Sequence, residues 1–331
     1  MSPTANLIDD YGRKVEYLRL SVTDRCNFRC IYCMSENMTF LSRKENLSVA
    51  ELYDISKVFV GLGITKIRLT GGEPLVRPGI LDLISSLAEL HGLEELTLTT
   101  NGALLKKFAT PLKDAGISRI NISLDTLKRP RFRELSRTGE LDQVLDGIEA
   151  VQQANFKNTK INSVILAGYN DDEICDLADF AIRGDLNISY IEEMPLGSIT
   201  SHKRKHTELS SELIRKKLEA RYKLSNTNYQ TGGPSRYVSV KNSKTKIGFI
   251  SPISENFCSG CNRVRLTSDG QLLSCLGNTA STDLKTIIRQ HPRNPDVLAR
   301  VLRTAVKNKP ERHRFNLNRT DILRFMNATG G

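Results

Sequence analysis

Six of the seven cysteines fall into two tight groups. Cys26, Cys30 and Cys33 form C-x3-C-x2-C, and Cys258, Cys261 and Cys275 form C-x2-C-x13-C. Thiolates are soft ligands that suit iron–sulfur clusters or zinc. A structural zinc site is closed by four ligands, and each group here offers three. Three thiolates on a cubane cluster leave one iron open to bind something else. The second spacing also resembles half of a zinc ribbon, so zinc stays as the competing reading there. The odd cysteine count argues against a disulfide framework. The acidic, non-apolar first eleven residues do not read as a secretory signal. A cytoplasmic, reducing location is the expectation. Cys175 stands outside both groups and reads as a buried helix residue.

Such loops need a scaffold to hold them. Strand-like and helix-like stretches alternate through the first two-thirds of the chain. Strands are predicted at 17–22, 66–70, 95–99, 119–123, 160–166 and 188–191. Helices are predicted at 49–60, 79–89, 104–114, 131–135, 141–154, 171–182 and 208–221. Six βα units in series imply parallel strands joined by right-handed crossovers. A full barrel takes eight units, so six predict an incomplete parallel α/β barrel. A doubly wound open sheet is the competing topology. The first cysteine group begins just past the first strand, and barrel enzymes place their chemistry beyond strand C-termini.

The segment 226–234 is rich in Asn, Thr and Gly and reads as a loop. After it come short strands at 237–240, 246–250 and 264–267, then helices at 284–290 and 296–307. The expected division is therefore 14–225 for the barrel and 226–331 for a smaller C-terminal domain that carries the second group.

The chain has 331 residues, 39% of them hydrophobic and 26% charged, as in a globular protein. No apolar run is long enough to span a bilayer. The net charge is +11, and residues 289–324 hold ten Lys/Arg against three Asp/Glu. That excess fits either a solvated surface or a wall facing a polyanion. With 6% aromatics and no Trp, base-stacking platforms are scarce and single-stranded nucleic acid is disfavoured.

C-x3-C-x2-C with Tyr32 before its last cysteine resembles the signature of the radical S-adenosylmethionine superfamily. Gly71-Gly72-Glu73-Pro74, Thr99-Thr100-Asn101-Gly102 and Ser123-Leu124-Asp125 follow the second, third and fourth strands, as the superfamily's motifs do. The run 251–267 around the second group, the opening 17–26 and the ending Arg324 to Gly331 resemble the GTP 3′,8-cyclase family over essentially the whole chain. The resemblance departs at Ser35, where the family usually has Pro, and at Ser189, where it usually has a phosphate-binding Arg. The usual Ile of the ending is Thr329.

The resemblance implies two 4Fe-4S clusters, one on Cys26, Cys30 and Cys33 and one on Cys258, Cys261 and Cys275. It implies S-adenosylmethionine on the first, lined by Tyr32, Gly72, Ser123, Asn162 and Met194. Arg19, Lys66, Arg68, Thr99, Lys160, Arg263, Val264 and Arg265 would bind GTP, the base lying on the second cluster. Arg263 and Arg265 alternate along a strand, so both can face one side. The implied lyase reaction starts with a 5′-deoxyadenosyl radical that takes hydrogen from C3′ of the ribose, and C3′ then attacks C8. The implied partners are an electron donor protein and a downstream cyclic pyranopterin monophosphate synthase. No membrane or nucleic-acid partner is implied, and a homodimer is compatible. The Gly330-Gly331 tail would enter the active-site pocket. The competing readings are a zinc-stabilised nucleic-acid-binding protein and a radical enzyme acting on a peptide.

Overall fold

The computed structural model describes residues 6–197, 199, 209–315, 322 and 324–330. Six βα units open the chain. β1 (Tyr17–Ser21) precedes α1 (Val49–Gly61), β2 (Lys66–Thr70) precedes α2 (Ile80–Ala88), and β3 (Glu95–Thr100) precedes α3 (Leu105–Asp114). β4 (Arg119–Ser123) is followed by α4 (Arg129–Ser136) and α5 (Leu141–Gln153). β5 (Lys160–Ile165) leads to α6 (Ile174–Arg183), and β6 (Asn187–Glu192) to α7 (Ser211–Glu219). Ser48 starts α1 with a reciprocal cap: its hydroxyl accepts from Glu51 N–H, and the Glu51 carboxylate accepts from Ser48 N–H.

β1 to β6 lie side by side in chain order, and every neighbouring pair is parallel. Right-handed crossovers that always step in one direction keep the helices on one face. A doubly wound sheet reverses its order part-way, so that alternative is excluded.

Both faces of these strands are buried, but they differ in kind. Leu18, Leu20, Ile67, Leu69, Leu98 and Ile120 belong to the apolar core. At the alternate positions Arg68, Thr97, Arg119, Asn121 and Lys160 are equally hidden from solvent. A buried polar face costs free energy unless its groups find partners, so the inner side of this sheet is shaped around polar contents.

The remaining strands are β7 (Leu224–Asn226), β8 (Arg236–Val240), β9 (Lys246–Ile250), β10 (Arg263–Leu266), β11 (Gln271–Leu273) and β12 (Thr282–Asp283). The remaining helices are α8 (Leu284–Gln290), α9 (Pro295–Lys307) and the short α10 (Met326–Thr329). β9 joins the sheet parallel to β6, and β10 joins it parallel to β1. The C-terminal segment therefore adds one parallel strand at each edge of the six. Antiparallel β8–β7 and β11–β12 extend the sheet beyond them.

Differences from the sequence reading are local. β7, β11 and β12 carry two or three residues each, too few to show a period. α6 begins at Ile174 rather than 171, because the preceding residues form a turn. In that turn Asp171 accepts from Gly168 N–H, and the buried Glu173 accepts from the Thr126 hydroxyl and Leu127 N–H. Cys175 is half-buried rather than buried, its thiol facing the Lys217 carbonyl.

Candidate active site

The first cysteine loop leaves β1 and is fastened on two sides. Arg29 and Ile31 donate their N–H groups to Ser136 and Leu135 at the end of α4, both at 2.9 Å. On the other side, Gly72 and Glu73 donate to the Thr23 and Arg25 carbonyls at 2.8 Å. A Cβ on Gly72 would sit 2.4 Å from the Arg25 carbonyl oxygen, so only glycine permits this approach. The fully buried Glu73 carboxylate accepts from Leu75 N–H, the Thr100 hydroxyl and Asn101 N–H at 2.7–3.0 Å. It thereby ties the loop after β2 to the loop after β3. The Asn101 amide lies 3.8 Å from Cys26 Sγ. Tyr32 donates to Asp125 at 2.7 Å, and Asp125 also accepts from Val164 N–H. Burial pushes the Cys26 thiol up to about 11 and Cys33 to about 12, and raises Cys30 well above the thiol range, with neighbouring cysteines adding to the last two. Metal binding to such thiols must displace their protons.

The second group sits at the other end of the sheet. Cys258 and Cys261 precede β10, and Cys275 follows the antiparallel β11. All three therefore lie near the N-terminal ends of the parallel strands, whereas Cys26 to Cys33 lie beyond the C-terminal ends. Glu192, at the end of β6, clamps the loop leading to Cys258. Its carboxylate accepts from Ile253 N–H at 3.2 Å, Ser254 N–H at 3.0 Å, the Ser254 hydroxyl and Ser211 N–H. Arg13 donates to the Cys258 carbonyl at 2.8 Å, and Lys309 donates to the Arg263 and Ser274 carbonyls. Burial would raise Cys261, but Arg263 and Lys309 bring it down to about 7.

A cavity of about 300 Å³ joins the two ends, and all six clustered cysteines line it. Among the described residues no three His, Cys, Asp or Glu side chains are gathered tightly enough to hold a single ion. Three thiols at the first end fit a cluster with an open iron better than a closed zinc site; at the second end His313 also lines the cavity close to Cys261. Tyr32, Gly72, Ser123, Asn162 and Met194 line the cavity, as do Arg19, Arg68, Thr99, Lys160, Arg263 and Arg265. Burial, then Arg19 and Arg263, hold Arg265 well below the usual arginine range. Burial also lowers Lys160, with Arg68 adding to it. Burial pushes Tyr17 up, yet Arg68, Arg19 and Lys66 together bring it down to about 7. Crowded cations of this kind are relieved by a polyanion. The cavity wall also holds buried side-chain oxygens, at Thr70, Asn121 and Asn162, that have no hydrogen-bond partner among the described residues.

Not every expected residue reaches this space. Lys66 is turned aside: its ammonium pairs with Glu95 and donates to the Thr231 carbonyl at 2.7 Å. The Val264 side chain is part of the apolar core, which leaves its main chain to face the cavity. Ser189 is fully buried against Ser235, the two hydroxyl oxygens 2.9 Å apart. No empty space waits there for an arginine.

The tail enters from the C-terminal side. α10 is docked by Met326 N–H on the Cys33 carbonyl and by the Asn327 amide on the Asp24 carbonyl. The Gly330 carbonyl accepts from Arg19 and Arg265, both at 2.9 Å. Gly331 lies outside the described residues.

Sequence reasoning passed over Asn121, Glu192 and Lys309, and quoted Glu73 and Asp125 within motifs without giving either a role. Asn121 shares the inward phase of β4 with Ser123, so alternation could have found it. Lys309 had no local signal, because its partners are more than thirty residues away.

Two family models divide the chain. Residues 20–181 match the radical SAM superfamily, and residues 186–315 match Molybdenum Cofactor Synthesis C. A GTP 3′,8-cyclase of Pseudomonas fluorescens (strain Pf0-1) is 53% identical over 327 residues, covering 98% of both chains. The chain belongs to the GTP 3′,8-cyclase family. A further member, from Pseudomonas entomophila (strain L48), is 54% identical with 98% coverage of both chains. Among solved structures, Streptococcus suis SuiB bound to S-adenosylmethionine superposes with a TM-score of 0.64 at 17% identity, over 90% of this chain and 69% of that one. At that identity the likeness speaks to the fold alone. The family model for residues 20–181 implies a 4Fe-4S cluster and S-adenosylmethionine, and Cys26, Cys30 and Cys33 fall inside that stretch. No helix among the described residues is long and apolar enough to cross a membrane.

Proposed function

We propose that this chain converts GTP to (8S)-3′,8-cyclo-7,8-dihydroguanosine 5′-triphosphate in molybdenum cofactor biosynthesis. S-adenosylmethionine is held at the Cys26 end of the cavity and GTP between the two cysteine groups. The observation that carries this reading is the placement of Arg19, Arg68, Lys160, Arg263 and Arg265 along one cavity with three thiols at each end.

Cys26, Cys30 and Cys33 would hold the first 4Fe-4S cluster, and Cys258, Cys261 and Cys275 a second. The first cluster with S-adenosylmethionine supplies the one-electron chemistry that generates a hydrogen-abstracting radical. The chain's own residues bind, orient and shield. Tyr32 is fixed by Asp125, and the loop of Gly71 and Gly72 is fixed by Thr23 and Arg25, so the wall on the S-adenosylmethionine side is set before binding. Arg68 is aimed by Tyr17 and Thr99, and Lys160 by Tyr237 at 3.2 Å. These cations would hold the triphosphate without a rearrangement of their own. Burial of the cavity wall keeps water from the reacting carbon. An electron donor protein must supply the reducing electron, and a cyclic pyranopterin monophosphate synthase would consume the product.

The test is anaerobic incubation of reconstituted protein with reductant, S-adenosylmethionine and GTP. Cys30→Ala should abolish S-adenosylmethionine cleavage, whereas Cys261→Ala should retain some cleavage but form no cyclised nucleotide. Cyclised product from the Cys261→Ala protein would overturn the placement of the substrate.

A further inference from the structure

Asn121 belongs to neither residue set described above, yet it stands in the middle of the cavity wall. The β3–β4 register pairs it with Thr99, and the β4–β5 register pairs it with Lys160. Ser123 and Asn162, one inward step further along their strands, are paired with each other. Asn121 thus occupies the step between the Cys26 end of the cavity and its cationic middle. Its side chain is only 5% exposed.

The neighbours at this level are already engaged. The Thr99 hydroxyl accepts from Arg68 at 3.2 Å, and the Lys160 ammonium donates to the Tyr237 hydroxyl at 3.2 Å. The Asn121 side-chain oxygen, by contrast, is buried and accepts from nothing among the described residues. A buried acceptor left unmade costs free energy, and such an orphan in a cavity wall calls for a donor from the cavity's occupant.

The chemistry of the occupant narrows the choice. A triphosphate offers oxygen acceptors, which cannot satisfy another acceptor. The donors of a nucleoside triphosphate are its ribose hydroxyls and the N–H groups of its base. The base is expected beside Cys258, Cys261 and Cys275, beyond the cations and away from Asn121. We propose that Asn121 is a specificity-determining residue that accepts a hydrogen bond from a ribose hydroxyl of the substrate, so that the site prefers ribonucleotides to deoxyribonucleotides. The proposal rests on the reading of the cavity as a GTP site. The contact would hold the sugar at the step where Ser123 and Asn162 face the S-adenosylmethionine side, which suits a reaction whose abstracted hydrogen is on the sugar.

The experiment is equilibrium binding to anaerobically reconstituted protein of GTP, 2′-deoxy-GTP, 3′-deoxy-GTP and inosine triphosphate. The wild type, Asn121→Leu and Asn121→Ser would be compared. The wild type should bind GTP about tenfold tighter than at least one deoxy analogue. Asn121→Leu, similar in size but without the acceptor, should bind GTP and that analogue equally. Asn121→Ser, whose hydroxyl is an acceptor, should restore part of the preference. Iron content and S-adenosylmethionine binding serve as folding controls and should match the wild type in both variants. If Asn121→Leu keeps the full preference for ribose, the inference is overturned. It is equally overturned if the variant loses discrimination between GTP and inosine triphosphate instead, since the oxygen would then read the base. Failure of the wild type to bind any of the four nucleotides would instead strike the GTP reading itself.

Discussion

Gly330 has a φ of +76°, in the region where side chains are strained. A Cβ built there would lie 2.2 Å from the Thr70 hydroxyl oxygen and 3.3 Å from Ser21 Cβ. Its carbonyl is the shared acceptor of Arg19 and Arg265. Gly330→Ala should therefore displace the tail at a cost of about 1–3 kcal/mol. The expected outcome is unchanged iron content and circular dichroism with cyclisation lowered roughly tenfold or more; full turnover by the variant would mean that the tail is a passenger. At this scale chemistry and spacing pointed to residues that share one cavity, the six cysteines and the inward cations of β1, β2, β5 and β10. It misled where a side chain has a competing partner. Lys66 alternates correctly with Arg68, but Glu95 on the neighbouring strand takes its charge. Ser189 stands where the family usually has a phosphate-binding arginine. Gly248 and Ser235 close that space, since even a Cβ on Gly248 would meet Ser235 Oγ at 2.1 Å.

At the scale of elements, the loop before Cys258 owes its path to one carboxylate. Glu192 is 5% exposed and gathers four donors from residues 211, 253 and 254. Removing it would orphan the buried Ser211 N–H, at roughly 1–3 kcal/mol, and leave the partly buried donors of Ile253 and Ser254 without their acceptor. Glu192→Ala should lose the cluster proposed for the second cysteine group while the one proposed for the first is kept. Iron per chain and electron paramagnetic resonance would report this, and an undiminished second signal would refute the clamp. The longer strands and helices were legible because they carry a clear period: apolar residues on one strand face, amphipathic turns between strands. What no period could reveal was pairing. β9 and β10 looked like parts of an appendage, and their places beside β6 and β1 come from contacts across much of the chain. Glu192 escaped notice for the same reason, since its partners lie 19 to 62 residues away.

For the whole molecule, the +11 charge is only partly a surface property. Arg19, Arg68, Lys160, Arg263 and Arg265 gather inside one cavity, where their mutual repulsion opposes folding. A polyphosphate that binds only the folded state should stabilise it by RT ln(1 + [L]/Kd), about 2.7 kcal/mol at a hundredfold excess over Kd. Inorganic tripolyphosphate should accordingly raise the melting temperature more than guanosine does, and the gain should shrink with added salt. Equal shifts from both compounds would place the affinity in the base rather than in the cations.

The two strands that complete the parallel sheet come late in the chain and go to opposite edges. During synthesis, residues 17–192 can leave the ribosome and assemble six strands while both flanks still expose unpaired N–H and C=O groups. β6 gains its neighbour only when residues 246–250 emerge, and β1 only when residues 263–266 follow. For that interval the nascent protein presents two open sheet edges, each able to recruit a strand from another chain. The stretch that ends this hazard is the same one that carries Cys258 and Cys261. Completion of the sheet and delivery of the second set of thiols are thus a single event on the growing polypeptide. A chain interrupted before residue 263 would lack Cys275 and the strand on β1 together.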